Sequence, residues 1–254
     1  MVRIDNEDIA HLKKILKENK NILFLCHHNA DPDAIGAAIA LKYLADTLNK
    51  SEDKNLRISA DSVSKLSKNI LEELGENIEV VQYPKLLDVV FFVDTSTLNQ
   101  ITVNNKELKN STLIIVDHHK KTDLCHLCTL SIVEEGATST CEIVSEIFRK
   151  MNIYPPKSIR VALLCGILYD TKHLKLAKEK TFQIIAWLIR DINFQRIIYL
   201  LTQDMDESKR IAHLKACNRM ELREFEGYVV ALSHVSSHEA SCAKTLVSIG
   251  ADIS

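Results

Sequence analysis

The chain has 254 residues, 46% of them hydrophobic and 26% charged, so it can build a substantial core in one large or two modest domains. Its net charge of −2 argues against a protein that coats duplex DNA or an anionic membrane surface. Seven cysteines are an odd count, which indicates reduced thiols and a cytoplasmic location rather than a disulfide framework.

The first predicted elements are a helix and a strand that ends in a polar turn. Residues 5–19 carry apolar side chains at helical spacing, and residues 22–26 form an uninterrupted apolar run. Such a run is typical of a strand buried on both faces of a parallel sheet. His27, Asp31 and Asp33 follow at once, ahead of a helix predicted over residues 34–44. Because two carboxylates this close repel unless a cation or a proton lies between them, the turn indicates half of a site for hard divalent metals.

Two more apolar strands end in acidic residues or histidines. One ends in the turn Asp94-Thr95-Ser96-Thr97, and the other, residues 112–116, is followed by Asp117-His118-His119. The carboxyl ends of parallel strands share one rim of a sheet, so we expect these turns to meet the first one. A fourth candidate, Asp170, ends an apolar helix predicted from residue 157.

The remaining patterns complete an α/β domain. Further helices are predicted over residues 63–74, 139–151, 178–189 and 194–201, and short strands over residues 56–60, 78–81 and 130–133. Ser139-x-x-Glu142 is a capping box for one of these helices. The predicted fold is therefore a doubly wound, mainly parallel sheet within residues 1–205.

The last fifty residues predict a separate piece. Residues 206–224 are highly charged and favour a linker helix. Residues 228–232 predict a strand, and Ser236-x-x-Glu239 predicts a capping box for a helix that ends at Gly250. Residues 225–254 are too few to hold a core of their own, so we expect them to pack onto the main domain or to begin a longer one.

The four motifs together resemble those of the DHH phosphoesterases. This superfamily holds RecJ-type exonucleases, small-oligonucleotide ribonucleases, phosphoadenosine phosphatases and cyclic-dinucleotide phosphodiesterases. The resemblance covers residues 21–175 with the motifs in the family's order. It implies that residues 1–205 are a DHH catalytic domain and that residues 225–254 open a DHH-associated substrate-binding domain. The Gly-Gly-Gly-His motif of that second domain is absent from the sequence.

Carried over position by position, the resemblance implies two metal ions. The implied ligands are His27, Asp31 and Asp94 for one ion, and Asp33, Asp94, His118 and Asp170 for the other. His119 would lie beside the scissile phosphate, and Asp117 would brace the site. Mixed Asp and His ligation without Cys favours Mn²⁺, with Mg²⁺ as the alternative. Two such ions clamp a phosphodiester and lower the pKa of a water between them.

The implied activity is a Mn²⁺-dependent phosphodiesterase or exonuclease that acts on short single-stranded oligonucleotides or small nucleotides. Cyclic di-AMP and phosphoadenosine phosphate are the alternative substrates. Long duplexes are disfavoured, because few cations lie near the motifs: Lys120, Lys121, Lys172 and Lys175. Of these, Lys120 and Lys121 directly follow the third motif and are weak candidates for gripping phosphate.

Two other functions are weighed against this one. A family II inorganic pyrophosphatase is disfavoured, since no Ser-Arg-Lys-Lys-Gln-type stretch is present. A non-catalytic RecJ-like scaffold in a replication or repair assembly is disfavoured, since every implied ligand position is filled. Cys125-x-x-Cys128 has no second cysteine pair, so two ordinary thiols are favoured over half of a zinc site.

The sequence also bounds the partners. Residues 1–20 lack the apolar core of a signal peptide, and no apolar run reaches the length of a membrane span, about 18 residues. We therefore expect no membrane partner. The sequence leaves open whether the chain forms a homodimer.

Overall fold

A computed structural model describes residues 4–80, 87–95, 97–101, 108, 110–202 and 205–254, without the side chains of residues 79 and 80. The chain divides into two compact units, Met1–Thr202 and Gln203–Ser254. Within the described ranges, no helix combines the length and the apolar composition that crossing a membrane requires.

Six strands of the described residues form one parallel sheet in the first unit. They are β1 (Asn21–Cys26), β2 (Asn55–Ala60), β3 (Glu79–Val80), β4 (Val89–Val93), β5 (Thr112–Asp117) and β6 (Leu130–Val133). Their order across the sheet is β3-β2-β1-β4-β5-β6. The chain therefore builds outward from β1 first in one direction and then in the other, and ligands bind at such a switch point in open α/β sheets.

The helices of the first unit confirm the predicted α/β fold. Those of the described residues are α1 (Asn6–Glu18), α2 (Pro32–Leu48), α3 (Lys65–Leu74), α4 (Asp123–Leu127), α5 (Thr140–Lys150), α6 (Lys157–Asp170), α7 (Glu179–Leu188) and α8 (Phe194–Leu200). A 3₁₀ turn covers Leu98–Gln100. Local chemistry sets the ends: the hydroxyl of Ser64 accepts a hydrogen bond from Ser67 N at 3.1 Å to begin α3, and Gly75 ends it with a φ of 65°.

Two apolar layers enclose the sheet. Phe24 lies in the larger layer with side chains of α1, α2, α5 and α6, whereas Leu23 and Leu25 face a smaller layer that includes Leu124 of α4. The rings of Phe24 and Phe91, which are register partners in β1 and β4, lie 5.0 Å apart. Because both faces of the sheet are covered, the central strands are apolar without alternation.

Helices α2 and α6 approach closely at two glycines. A Cβ atom at Gly36 would lie 2.5 Å from the carbonyl oxygen of Ala162. A Cβ atom at Gly166 would lie 2.8 Å from Asp33 Oδ1 and closer still to Cys141 Sγ. A side chain at either position would push the helices apart, so glycine is what allows α6 to lie against the first motif.

The second unit contains α9 (Glu207–Asn218), β7 (Glu221–Phe225), β8 (Tyr228–Leu232) and α10 (Glu239–Ser248). The predicted linker helix is too long, because residues 221–225 form a strand that pairs antiparallel with β8. Glu226 and Gly227 connect the two strands with φ values of 49° and 83°. Positive φ at both central residues is the mark of a tight hairpin turn, which ends any helix at this point.

The predicted capping box at Ser236 is wrong. Helix α10 begins at Glu239, and its N-cap is His238, whose φ is 59° and whose side chain makes no capping hydrogen bond. Because Ser236 lies outside the first turn, its hydroxyl cannot serve the amide groups there. By contrast, Ser139 caps α5 as predicted, accepting a hydrogen bond from Glu142 N at 3.0 Å.

Candidate metal centre

The strand register brings three motifs to neighbouring positions on the rim. Cys26 pairs with Val93, and Val93 pairs with Val116. The residues that come next, His27, Asp94 and Asp117, therefore lie side by side on the rim, at the switch point between β1 and β4 and at the end of the adjoining β5.

Three overlapping groups of side chains offer ligand atoms that lie within 4.8 Å of one another. The groups are His27, Asp31 and Asp94; Asp33, His118 and Asp170; and Asp94, Asp117, His118 and His119. All side chains expected to hold metal thus lie in one cluster. The first group is the complete ligand set expected for one ion. The second group contains three of the four ligands expected for the other ion, and the fourth is Asp94. Metal ligation by these residues stays a prediction.

Asp31 begins helix α2 and is fixed by its amide groups. Its Oδ1 accepts hydrogen bonds from Asp33 N at 2.9 Å and from Ala34 N at 3.1 Å. Pro32 occupies the first helical position, where its missing N–H costs nothing. The motif is therefore a helix cap and a ligand candidate at once, because only one of the two carboxylate oxygens is used by the cap.

His27 turns its Nε2 atom toward two carboxylates. Its Nδ1 donates a hydrogen bond to the carbonyl oxygen of His28 at 2.6 Å. The Nε2 atom lies 3.8 Å from Asp31 Oδ1 and 3.7 Å from Asp94 Oδ2. A backbone contact of this kind sets the tautomer and the orientation of a metal-binding imidazole.

Asp33 and Asp94 are both held by the amino end of α5. Asp33 is fully buried, and its two carboxylate oxygens accept hydrogen bonds from Thr140 N at 2.6 Å and Cys141 N at 2.9 Å. The hydroxyl of Thr140 donates to Asp94 Oδ1 at 2.9 Å. The helix dipole favours the negative charge of Asp33 here. Sequence reasoning located the start of this helix at Ser139 but missed Thr140 as part of the site.

Asp94 leaves the sheet with an uncommon backbone conformation. Its φ is 54°, in the left-handed region, and its N–H still donates to the carbonyl oxygen of Val116 at 3.0 Å. Aspartate tolerates this conformation better than most residues, and backbone strain of this kind is frequent at functional sites. The turn directs a carboxylate that is only 3% exposed into the middle of the cluster.

The third motif supplies two histidines with different surroundings. His118 Nε2 lies 3.0 Å from Asp170 Oδ2, 3.5 Å from Asp94 Oδ1 and 4.0 Å from Asp33 Oδ2. His119 is about half exposed, and its Nδ1 donates to Asp117 Oδ1 at 2.8 Å. His119 therefore faces the open side of the cluster, where a substrate would approach.

The crowding of the carboxyl groups changes their pKa values. Burial raises the pKa of Asp94 to about 7, and the negative charge of Asp31 adds to the effect. Burial also raises the pKa of Asp33 well above its usual range, together with the charges of Asp94 and Asp170. Asp31 differs: burial opposes its ionisation, but hydrogen bonds from His27 and the α2 amides lower its pKa. Without a cation, the cluster would therefore retain protons near neutral pH.

The pKa values of two histidines are also raised, which favours the charged form of an imidazole. The hydrogen bond to Asp117 raises the pKa of His119 to about 9, against the effect of partial burial. Burial lowers the pKa of His27, but the carboxylate of Asp31 outweighs it and brings the value to about 9. Protonated imidazoles thus take the place of cations beside the carboxylates, and divalent metals would release these protons on binding.

The donor set fits divalent cations. Among the described residues, two buried side-chain atoms of the cluster, Asp117 Oδ2 and His118 Nε2, have no hydrogen-bond partner. His118 Nε2 is close to Asp170 yet lacks the alignment that a hydrogen bond requires. Unpaired buried polar atoms are costly, and a coordinated cation would satisfy them. Carboxylate oxygens with imidazole nitrogens are donors that Mn²⁺ and related ions accept.

The weaker candidates lie around this cluster. Lys120 and Lys121 are exposed on the loop after β5, and the backbone N–H of Lys121 donates to Glu135 at 3.0 Å. Ser96, within the predicted turn of residues 94–97, and Val81, the last residue of the predicted strand 78–81, lie outside the described residues. Cys125 and Cys128 are free thiols, and burial raises the pKa of Cys128 to about 12. A thiol with such a pKa is protonated at neutral pH.

Several known proteins are similar in sequence to this chain. The uncharacterized protein MJ0988 of Methanocaldococcus jannaschii is 62% identical over 242 residues, which are 95% of this chain and 73% of that protein. The cyclic-di-AMP phosphodiesterase GdpP of Bacillus subtilis is 27% identical over 208 residues, covering 73% of this chain and 30% of that protein. This chain thus corresponds to about three quarters of the first relative and less than a third of the second.

The fold also has a solved counterpart. The crystal structure of an exopolyphosphatase-related protein from Bacteroides fragilis superposes with a TM-score of 0.72 at 18% sequence identity, over 91% of this chain and 70% of that one. The sequence profile of the DHH family, N-terminal domain, matches residues 21–167, from β1 into α6. The matched range includes three of the four motifs and ends three residues before the last one, Asp170. The chain belongs to the DHH family, whose members are phosphoesterases that depend on divalent metals.

Proposed function

We propose that the chain is a Mn²⁺-dependent phosphodiesterase that cleaves short single-stranded oligonucleotides or small nucleotides. The observation that carries the proposal is the convergence of four carboxylates and two histidines, all predicted ligands, in one cluster at the switch point of the sheet. When bound there, two divalent ions would polarise a phosphoryl group and activate a water molecule.

The residues of the chain have separate roles in this proposal. His27, Asp31 and Asp94 hold one ion, and Asp33, Asp94, His118 and Asp170 hold the other. Thr140 orients Asp94 through its hydroxyl, so that both carboxylate oxygens keep their directions. Asp117 is buried and fixes the ring of His119, which leaves Nε2 of that ring free to donate a proton or a hydrogen bond to phosphate or to the leaving oxygen.

The charge around the cluster favours a short substrate. Its candidate phosphate contacts are the exposed Lys120, Lys121, Lys172 and Lys175, on the loops that follow β5 and α6. Each neutralised phosphate of a bound strand requires a nearby cation, so four lysines suit a few phosphates rather than a long duplex. The similarity to GdpP makes cyclic di-AMP a specific second candidate within the same chemistry.

A substrate panel tests the proposal. The chain is assayed with Mn²⁺ on dinucleotides, short RNA and DNA strands, cyclic di-AMP, phosphoadenosine phosphate, pyrophosphate and duplex DNA. We expect hydrolysis of a short strand, a dinucleotide or a small nucleotide, with a phosphomonoester and a free hydroxyl as products. Cleavage of duplex DNA without activity on short strands would contradict the substrate class, and cleavage of pyrophosphate alone would replace the phosphodiesterase with a pyrophosphatase.

Two controls separate this activity from contamination and from a scaffold role. The Asp94→Ala variant, purified in the same way, should lose the activity if it comes from the cluster. The exposed Lys13→Ala variant, on α1, should retain it. A folded wild-type chain that binds Mn²⁺ and cleaves no member of the panel would favour the scaffold.

A further inference from the structure

The second unit contains a small cavity that none of the predicted metal or catalytic residues lines. It lies between α9 and the loop that follows β8, and its volume is about 220 Å³. The cavity opens to solvent at the surface. Ala212 and Val235 give it an apolar floor, and the rest of its lining is mainly basic or hydroxylic.

Two cations at this cavity lack a carboxylate partner. Both Lys215, in the last turn of α9, and Arg219, the C-cap residue of that helix, line it. Across the part of the chain that the structure describes, neither forms an ion pair, although Lys180 and Arg223 do. Within the described residues, the guanidinium of Arg219 makes one hydrogen bond, a long one of 3.4 Å from Nη1 to the carbonyl oxygen of His234. Like charges at this spacing repel each other, so an anion between them would stabilise the pair.

Hydroxyl groups line the same cavity. Ser208 comes from the first turn of α9, and Ser236 and Ser237 come from the loop after β8. Within the described ranges, the hydroxyls of Ser236 and Ser237 make no hydrogen bond, while Ser208 Oγ is 3.3 Å from His238 Nε2. Each hydroxyl can donate one hydrogen bond to an anion. Two cations and several free donors around a small volume are the groups that surround a tetrahedral oxyanion.

We propose that this cavity binds a phosphate group, either as inorganic phosphate or as the monoester of a nucleotide. A dianion of this shape uses Lys215 and Arg219 together with the serine hydroxyls, whereas a neutral ligand would leave the two cations unpaired. The site is distinct from the metal centre, since all of its lining residues belong to the second unit. The volume suits the phosphate group itself, so the nucleoside of a bound monoester would lie outside the cavity.

The proposal is tested by titrating the isotope-labelled full chain with inorganic phosphate. A chelator keeps the metal centre free of ions, and sodium chloride holds the ionic strength constant. We expect saturable shifts of the amide signals of Ser236 and Ser237. Replacing both Lys215→Ala and Arg219→Ala should weaken binding by at least about tenfold, since each charged hydrogen bond is worth about that much. Adenosine monophosphate should bind at the same amides, and adenosine should not.

The matched control is Arg210→Ala, which removes an exposed cation of the same helix that does not line the cavity. It should leave the phosphate affinity unchanged. An equal loss in this variant, shifts that fail to saturate, or shifts caused by adenosine would overturn the proposal. Should the double variant have a lower melting temperature than the wild type, Arg219→Gln alone, measured in the same way, decides the question. Because the titration measures phosphate binding and not catalysis, its result is independent of whether the proposed phosphodiesterase activity is found.

Discussion

Asp94 is the residue on which the geometry of the cluster converges. It belongs to two of the three ligand groups, accepts a hydrogen bond from Thr140, and leaves its strand in a left-handed conformation. One carboxylate oxygen lies near His27 and the other near His118. Its expected role as a ligand of both predicted ions distinguishes it from residues expected to serve one ion alone.

The first prediction is that Asp94→Ala removes more activity than His27→Ala. Because a shared ligand positions both ions, its loss should lower kcat by about a thousandfold or more, several kcal/mol of transition-state stabilisation. His27→Ala should cost less, and excess Mn²⁺ should partly restore it. Turnover measured across a Mn²⁺ titration checks this. Near-normal turnover of Asp94→Ala at saturating Mn²⁺ would contradict the two-metal assignment.

A second prediction concerns His119, whose Nδ1 is occupied by Asp117. If Nε2 protonates the leaving oxygen, His119→Gln should slow hydrolysis of a dinucleotide by about a hundredfold. A nitrophenyl ester, whose leaving group needs no proton, should be affected much less. Comparison of kcat for the two substrates is the measurement. An equal loss on both would assign His119 a purely electrostatic role.

At the scale of elements, the contact between α2 and α6 positions the fourth motif. Gly166 lies where an added methyl group would meet Asp33 and Cys141. We predict that Gly166→Ala lowers the free energy of unfolding by about 1–3 kcal/mol through overpacking. The same displacement of Asp33 should weaken Mn²⁺ binding. Thermal melting and a metal titration check both effects.

Gly136→Ala is the matched control for this substitution, because an added methyl group there meets nothing within 4 Å. Its stability should stay within about 0.5 kcal/mol of the wild type. A Gly166→Ala variant as stable as this control would show that the helices can separate without cost, and the role assigned to the glycine would be wrong.

The strands and helices also show which features of the structure could be predicted from sequence patterns. The strands β1, β4 and β5 each contain an unbroken apolar run, residues 22–26, 89–93 and 113–116, and the polar residues of the motifs follow each run directly, so the position of the cluster on the rim could be predicted from the sequence. Strand β7 was missed because all of its side chains are exposed, which leaves no pattern of burial to detect. The bond from Thr140 to Asp94 joins residues far apart in the chain, and local spacing cannot predict such a contact.

At the scale of the whole molecule, the cluster links stability to pH and metal. In the metal-free chain, Asp94 has a pKa of about 7, above its ordinary value of 3.8, and His27 and His119 have values of about 9, above 6.5. A group with a raised pKa in the folded state contributes stability that is fully present below its unfolded pKa and is lost as the pH rises through the folded value.

We therefore predict that the chelated protein loses stability as the pH rises from about 4 to about 9. Asp94 accounts for the lower part of this range and the histidines for the upper part. Saturating Mn²⁺ should raise the melting temperature most at the alkaline end, because protons no longer compete for the ligands. Melting curves across pH, with chelator and with Mn²⁺, are the test. Indistinguishable curves would count against a shared metal centre.

The arrangement of the strands also has a consequence for how the protein folds. The central strand β1 pairs with β4, and Ile22 has Val89 as its partner, so the middle of the sheet closes only after a long stretch of chain has been synthesised. The final ligand, Asp170, comes later still. Contacts between residues far apart in the chain form slowly. The ligands of a metal ion come together only after these contacts have formed. We expect Mn²⁺ to slow unfolding in stopped-flow experiments while leaving the refolding rate unchanged. The ion would then stabilise the folded domain without taking part in the rate-limiting step of folding.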